Sequence, residues 1–311
     1  MLLVCVNLNF QATIMPVQIP DEANPSQETL DKHARARRRL REISLKKAIL
    51  FLLVFMIPLI IMLVVLNLYQ DISKLNTEII SVFTFYLLMG ILIFYAFAKK
   101  KVSLMGMFSK IQNSRDILLF IPLMAFSIGS FWFILLIFHN IDPSLGQWYF
   151  NSVDNSGLMT TSADTHYYQY LAIFILIAVL VPIIEEIIFR GAFIERLGTK
   201  YSYQSALITS AIIFGFLHFD IFGAAMFGLV SGIIYLKSKS LTVPVLIHML
   251  NNGILILLLV INDQLVHLGN WGETVQDFVD YAYVGILLFI LSTVPLVMYL
   301  KQNWNLALRS V

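Results

Sequence analysis

Eight apolar runs, separated by short polar stretches, leave this 311-residue chain few ways to fold. They fall near residues 48–69, 79–98, 117–138, 168–198, 203–219, 222–237, 240–261 and 280–300. About 20 apolar residues match the hydrocarbon thickness of a bilayer as a helix. The predicted fold is therefore an all-α polytopic membrane protein of about eight transmembrane helices. Only 13% of the residues are charged and 59% are hydrophobic, against about 25% and 45–50% in a soluble domain. That balance leaves no room for a separate soluble domain beyond the first forty-odd residues.

The charges then orient the spans. With the basic arm Lys32–Lys47 inside, the other Lys and Arg fall at Lys99–Arg115, Arg190–Lys200, Lys237 and Lys239, and Lys301 and Arg309. All of these lie on the predicted cytoplasmic side, and Lys74 is the one exception among 21. The opposite loops carry Asp71, Glu78, Asp142, Asp154, Asp164, Asp263, Glu273 and Asp277. This is the positive-inside pattern, and it predicts both termini in the cytoplasm. The chain divides into a basic, partly disordered cytoplasmic segment 1–47, a helical membrane domain 48–300 and a cytoplasmic tail 301–311. The net charge of +2 follows from topology and gives no reason to expect nucleic acid; the basic arm reads as an anchor beside anionic lipid. No signal-peptide pattern is visible at the start, and Met15 is an alternative initiation point. A single cysteine, Cys5, excludes an intrachain disulfide and any multi-cysteine metal site.

Within the fourth run, Val181-Pro-Ile-Ile-Glu-Glu-Ile-Ile-Phe-Arg-Gly191 places two adjacent carboxylates in an otherwise apolar stretch from Leu171 to Phe189. Ionisable groups at membrane depth cost roughly 2.5–3.5 kcal/mol each on insertion scales. Glu186 and Arg190 are four residues apart, share a helix face and neutralise each other. Glu185 points about 100° away and has no partner on its own helix. It is the candidate for chemistry. For this site to assemble with the later spans, the fourth helix must run submerged past Arg190 toward Lys200, which puts Glu185 roughly 22 Å up the helix.

Three further polar residues lie in the following spans: His218, then His248 and Asn252, four apart on one face. Two histidines, an unpaired glutamate and an asparagine on neighbouring spans point to a shared site. A carboxylate in apolar surroundings is a strengthened base toward water, His218 can hold that water, and His248 and Asn252 can donate to an oxyanion. The alternative with the same atoms is a divalent ion such as zinc on Glu185, His218 and His248. Elsewhere, Ala224, Gly228 and Gly232 form a small-residue stripe suited to close helix packing, and Pro244 starts or kinks the seventh span. The loop 139–167 reads as polar and external, resting at the interface through Trp148, Tyr149, Tyr167 and Tyr168.

At these residues the chain resembles the CAAX protease and bacteriocin-processing (CPBP, or Abi) family of intramembrane endopeptidases. The family's Glu-Glu-x-x-x-Arg, Phe-x-x-x-His and His-x-x-x-Asn motifs read here as Glu185-Glu186-Ile-Ile-Phe-Arg190, Phe214-Gly-Phe-Leu-His218 and His248-Met-Leu-Asn-Asn252. Each motif is weak alone; three in order on successive spans are specific. The resemblance covers roughly 168–260. It implies Glu185 as general base assisted by His218, His248 and Asn252 as oxyanion donors, and Glu186 with Arg190 as a structural pair. It implies no obligatory cofactor on a glutamate mechanism, with zinc as the metal alternative. The basic chain with both ends inside looks like one of a bacterial plasma membrane, which favours a bacteriocin-type or signalling peptide, or a membrane protein, over a prenylated CAAX substrate; some relatives act in bacteriocin immunity. Two other readings stand beside it: a non-catalytic immunity or scaffold protein on the same fold, and a proton-coupled transporter. The absence of an evident internal repeat speaks against the transporter.

Overall fold

A computed structural model describes residues 27–42, 74–111, 113–154, 165–218, 220–261 and 274–309. The described residues are helical, without strands, and the protein is an all-α polytopic membrane protein. The helices are α1 (Gln27–Leu40), α2 (Lys74–Lys100), α3 (Phe120–Ile141), α4 (Pro143–Asp154), α5 (Tyr167–Lys200), α6 (Tyr203–Phe216), α7 (Ile221–Ser238), α8 (Thr242–Ile261), α9 (Val275–Asp280) and α10 (Ala282–Arg309). Among the described residues, six helices are long and apolar enough to cross a membrane: α2, α3 with its preceding turn, α5, α7, α8 and α10. The expected span at 48–69 lies outside the described residues.

The expected span 203–219 is shorter than its hydropathy suggests. Helix α6 ends at Phe216 after 14 residues, about 21 Å. The backbone N–H groups of Leu217 and His218 fold back onto carbonyls one turn earlier. Asp220 then caps α7 by accepting from Gly223 N at 3.0 Å. The loop 139–167 likewise contains a helix. Helix α4 folds back on α3, with Tyr149 stacked on Phe131 and Gly146 within 2.8 Å (to an added Cβ) of His139.

Helix α5 is unbroken over 34 residues, so it does continue well past Arg190. It begins where His166 N donates to Gln169 Oε1 at 2.9 Å. Two π-helical segments, Phe174–Leu180 and Ile187–Ile194, flank a short α turn, Val181–Glu186. Pro182 accounts for the first. Val181 N–H already bonds Leu176 O, five residues back. In that wide register Ile177 O would need the N–H of Pro182, which proline lacks.

Close approach elsewhere depends on glycine. A Cβ at Gly228 would sit 3.0 Å from Ala211 Cα, and one at Gly232 2.4 Å from Leu207. The small-residue stripe of α7 is therefore the face packed on α6. The α3–α10 crossing is tighter, since a Cβ at Gly129 would meet the Phe289 backbone nitrogen at 2.5 Å. Pro244 lies in the first turn of α8, where its missing N–H has no intrahelical partner to lose.

The basic N-terminal stretch reads as mobile from its composition up to Leu40, yet residues 27–40 form α1 and bury Ala36 and Leu40. Arg37 Nε and Arg41 Nε donate to Glu195 at 2.5 and 3.0 Å. Tyr203 and Tyr235 complete the shell around that carboxylate at 3.0 and 2.9 Å. Glu195 is fully buried and bolts α1 to one end of α5, α6 and α7.

Candidate active site

The short α turn between the two π segments presents Glu185 and Glu186 to different neighbours. Glu186 is fully buried, as is Arg190, whose Nη1 lies 2.9 Å from Glu186 Oε1. The guanidinium faces the rings of Phe214 and Phe227, at 4.5 and 5.5 Å from their centroids. Among the described residues its Nε and Nη2 find no hydrogen-bond partner, so the carboxylate and the π faces are what hold this charge. Ser231 Oγ donates to Glu186 Oε2 at 2.9 Å. Glu186 also lies 3.0 Å from His248 Nδ1. A carboxylate accepts, so this contact places a proton on Nδ1 and turns Nε2 toward the other side of the ring.

That other side is Glu185. His248 Nε2 lies 3.8 Å from Glu185 Oε2, and His218 Nε2 lies 3.9 Å from the same oxygen. His218 is fixed in the same manner, with its Nδ1 2.7 Å from Phe214 O. This contact explains the spacing of the Phe-x-x-x-His motif, because the histidine bonds the carbonyl of its own motif's first residue. Each imidazole is thus anchored through Nδ1 and presents Nε2 to one carboxylate oxygen. Glu185 Oε2 is buried and has no hydrogen-bond partner among the described residues. Separations of 3.8–3.9 Å exceed direct hydrogen-bond length.

Asn252 lies on the same wall but has a different partner. Its Nδ2 donates to Ile177 O at 3.0 Å, the carbonyl that Pro182 leaves without a backbone donor. Its second amide hydrogen is not used in that bond. The neighbouring Asn251 carries a buried Oδ1 without a partner among the described residues. Glu185, His218, His248, Asn251 and Asn252 all line one cavity of about 460 Å³, walled by Val82, Phe85, Val181, Phe227 and Leu255. The sequence-identified residues Glu185, His218, His248 and Asn252 therefore share a single cavity, with Glu186 and Arg190 behind it.

Two participants escaped the sequence reading. Tyr86 on α2 donates from its hydroxyl to Glu185 Oε1. Ser231 on α7 holds Glu186. Ser231 has a signal of its own, a hydroxyl on the small-residue face of a span; Tyr86, in a run of aromatics, has none.

Two imidazoles and a carboxylate are zinc chemistry, and anchored Nδ1 atoms are what a metal's outer shell uses. The spacing argues otherwise. Donors about 2.0–2.1 Å from a tetrahedral ion lie roughly 3.3 Å apart, short of the 3.8 and 3.9 Å found. Among the described residues no group of three His, Cys, Asp or Glu converges closely enough to hold an ion. In this arrangement the two imidazoles stand wider from Glu185 than a tetrahedral ion would hold them.

Comparison with known proteins covers the same stretch of chain. Residues 167–254 match the family model described as type II CAAX prenyl endopeptidase Rce1-like. The chain is also 28% identical over 102 residues to the "Putative membrane peptidase YdiL" of Bacillus subtilis (strain 168). That match takes in 32% of this chain and 42% of the relative, so the chain spans less than half of the relative's length. No solved structure matches. Residues 167–254, which enclose all three motifs, are thus similar to the type II CAAX prenyl endopeptidase Rce1-like family.

Proposed function

We propose that this protein is an intramembrane endopeptidase that hydrolyses a peptide bond of a membrane-associated protein or peptide, with Glu185 as the general base. The observation that carries the reading is Glu185 Oε2, which finds no hydrogen-bond partner among the described residues and faces two anchored imidazole Nε2 atoms. A water held there loses a proton to Glu185 while its oxygen attacks the scissile carbonyl carbon. Neutral His218, with its proton on Nδ1, offers the Nε2 lone pair that orients the water. His248, when protonated, donates from Nε2 to the oxyanion, and Glu186 behind it supports the positive charge. The spare amide hydrogen of Asn252 is the second donor. Collapse of the tetrahedral intermediate expels the amine, which takes the proton back from Glu185, and leaves a new carboxylate.

These steps use side chains alone, and no cofactor is required. The reading places the protein in a plasma membrane with both termini cytoplasmic, in keeping with its charge bias. A bacteriocin-type or signalling peptide, or another membrane protein, is the substrate class it favours.

The test compares peptide ends released from membranes of cells carrying wild type or Glu185→Gln at matched abundance. New ends present only with wild type support hydrolysis and name the substrate. Equal peptide sets, together with a phenotype that survives the substitution, would favour an immunity or scaffold protein on the same fold. A chelator arm reads metal dependence: release that stops with chelator and returns with zinc contradicts the metal-free steps.

A further inference from the structure

We infer that Tyr86 is a positioning residue of this site, supplied by a helix outside the family match. The inference rests on the reading of Glu185 as general base. A glutamate has two oxygens on a side chain with three rotatable bonds, and a base must present one of them in a fixed direction. Here Oε1 accepts from the Tyr86 hydroxyl, and Oε2 is the atom that faces His218 and His248. With one oxygen occupied, only the other is available to water.

The position of the tyrosine is itself determined. Helices α2 and α5 run parallel, because Asn76 pairs with Gln169 near their starts and Tyr86 pairs with Glu185 further along both. Gln169 Nε2 donates to Asn76 Oδ1 at 2.8 Å. Leu75 packs in one cluster with Ile173, Ala178 and Ile256. These contacts set the register of α2 about three turns before Tyr86. One turn beyond it, Ile184 lies 3.7 Å from where a Cβ on Gly90 would stand, which is ordinary contact. Phe85, edge-on to the Tyr86 ring at 5.1 Å, limits how far the ring can swing. The family match begins at residue 167, so this contact reaches the base from the N-terminal half of the chain.

The test uses Tyr86→Phe, which removes the hydroxyl and keeps the ring. Infrared difference spectra of the reconstituted full-length protein isolate the Glu185 carboxylate stretch as wild type minus Glu185→Gln. Tyr86→Phe should displace that band; an unmoved band overturns the contact, whatever the activity proves to be. With a synthetic peptide spanning a Glu185-dependent cleavage, kcat should fall about tenfold or more while KM stays within about twofold. Thermal stability should fall modestly, because a buried carboxylate loses a donor. Wild-type kcat in Tyr86→Phe would overturn the positioning role. If Glu185→Gln still cleaves, the reading of Glu185 as general base fails instead, and the infrared arm still decides whether Tyr86 holds Glu185.

Discussion

Glu185 and Glu195 lie ten residues apart on one helix, and both are buried, at 7% and 0% exposure. Their surroundings are opposite. Glu195 accepts from two arginines and two tyrosines, enough to fill the four lone-pair sites of a carboxylate. Glu185 accepts from one tyrosine, and its other oxygen is turned toward two nitrogens just beyond hydrogen-bond reach. A buried charge with every acceptor filled contributes structure. A buried charge with one acceptor held open toward polar neighbours costs stability and is the arrangement chemistry needs. Glu186 resembles Glu195 in this respect, since Arg190, Ser231 and His248 all reach it.

The contrast can be broken by substitution. The largest effect belongs to Glu185→Gln, which should lower peptide release by about 10²–10⁴-fold and leave the thermal midpoint close to wild type. Glu195→Gln should do the reverse. Leaving Arg37 and Arg41 without their carboxylate should cost about 3 kcal/mol, at the low end for a broken buried pair because Arg41 is partly exposed. It should also free α1, which limited trypsin digestion at Arg35–Arg39 would report as faster cleavage. Ser231→Ala removes one donor from Glu186 and should destabilise by about 1.5 kcal/mol, read as a lower midpoint.

A further effect is set by pH. The Lys239 amine is pushed down to about 7, mainly by burial and further by the nearby Arg37. Its Nζ has no hydrogen-bond partner among the described residues. Between about 7 and the ordinary lysine value the unfolded chain holds the proton that the folded chain has lost. This group's contribution to stability therefore rises with pH across that window and is flat below it. Lys239→Met should accordingly raise the midpoint more at about pH 6 than at about pH 9.5. An equal gain at both would show that the folded and unfolded lysine hold their proton alike across that window, so that burial has not lowered its value.

What could be read in the sequence follows the range of the contacts. The spans follow from hydropathy, and the pairing of Glu186 with Arg190 follows from one turn of helix. Residues one turn apart also account for His218, whose ring bonds the carbonyl of Phe214. Local patterns carry no such information about Tyr86, 99 residues before its carboxylate, or Arg37, 158 residues before Glu195. The arginines of α1 look like solvated charge until the fold brings Glu195 beneath them. Asn252 is an intermediate case. Its partner, Ile177 O, is orphaned by Pro182 five residues later, a pattern present in the sequence but meaningful only in the wide π register.

The most direct test of the account places the two carboxylates side by side. Glu185→Gln and Glu195→Gln are expressed at matched abundance, and released peptide ends and thermal midpoint are measured for each. The account predicts a crossed result: Glu185→Gln loses the ends and keeps the midpoint, while Glu195→Gln loses midpoint and, below its unfolding temperature, still releases the ends. Continued release by Glu185→Gln, or a midpoint loss in that variant as large as in Glu195→Gln, would contradict the assignment of Glu185 to chemistry.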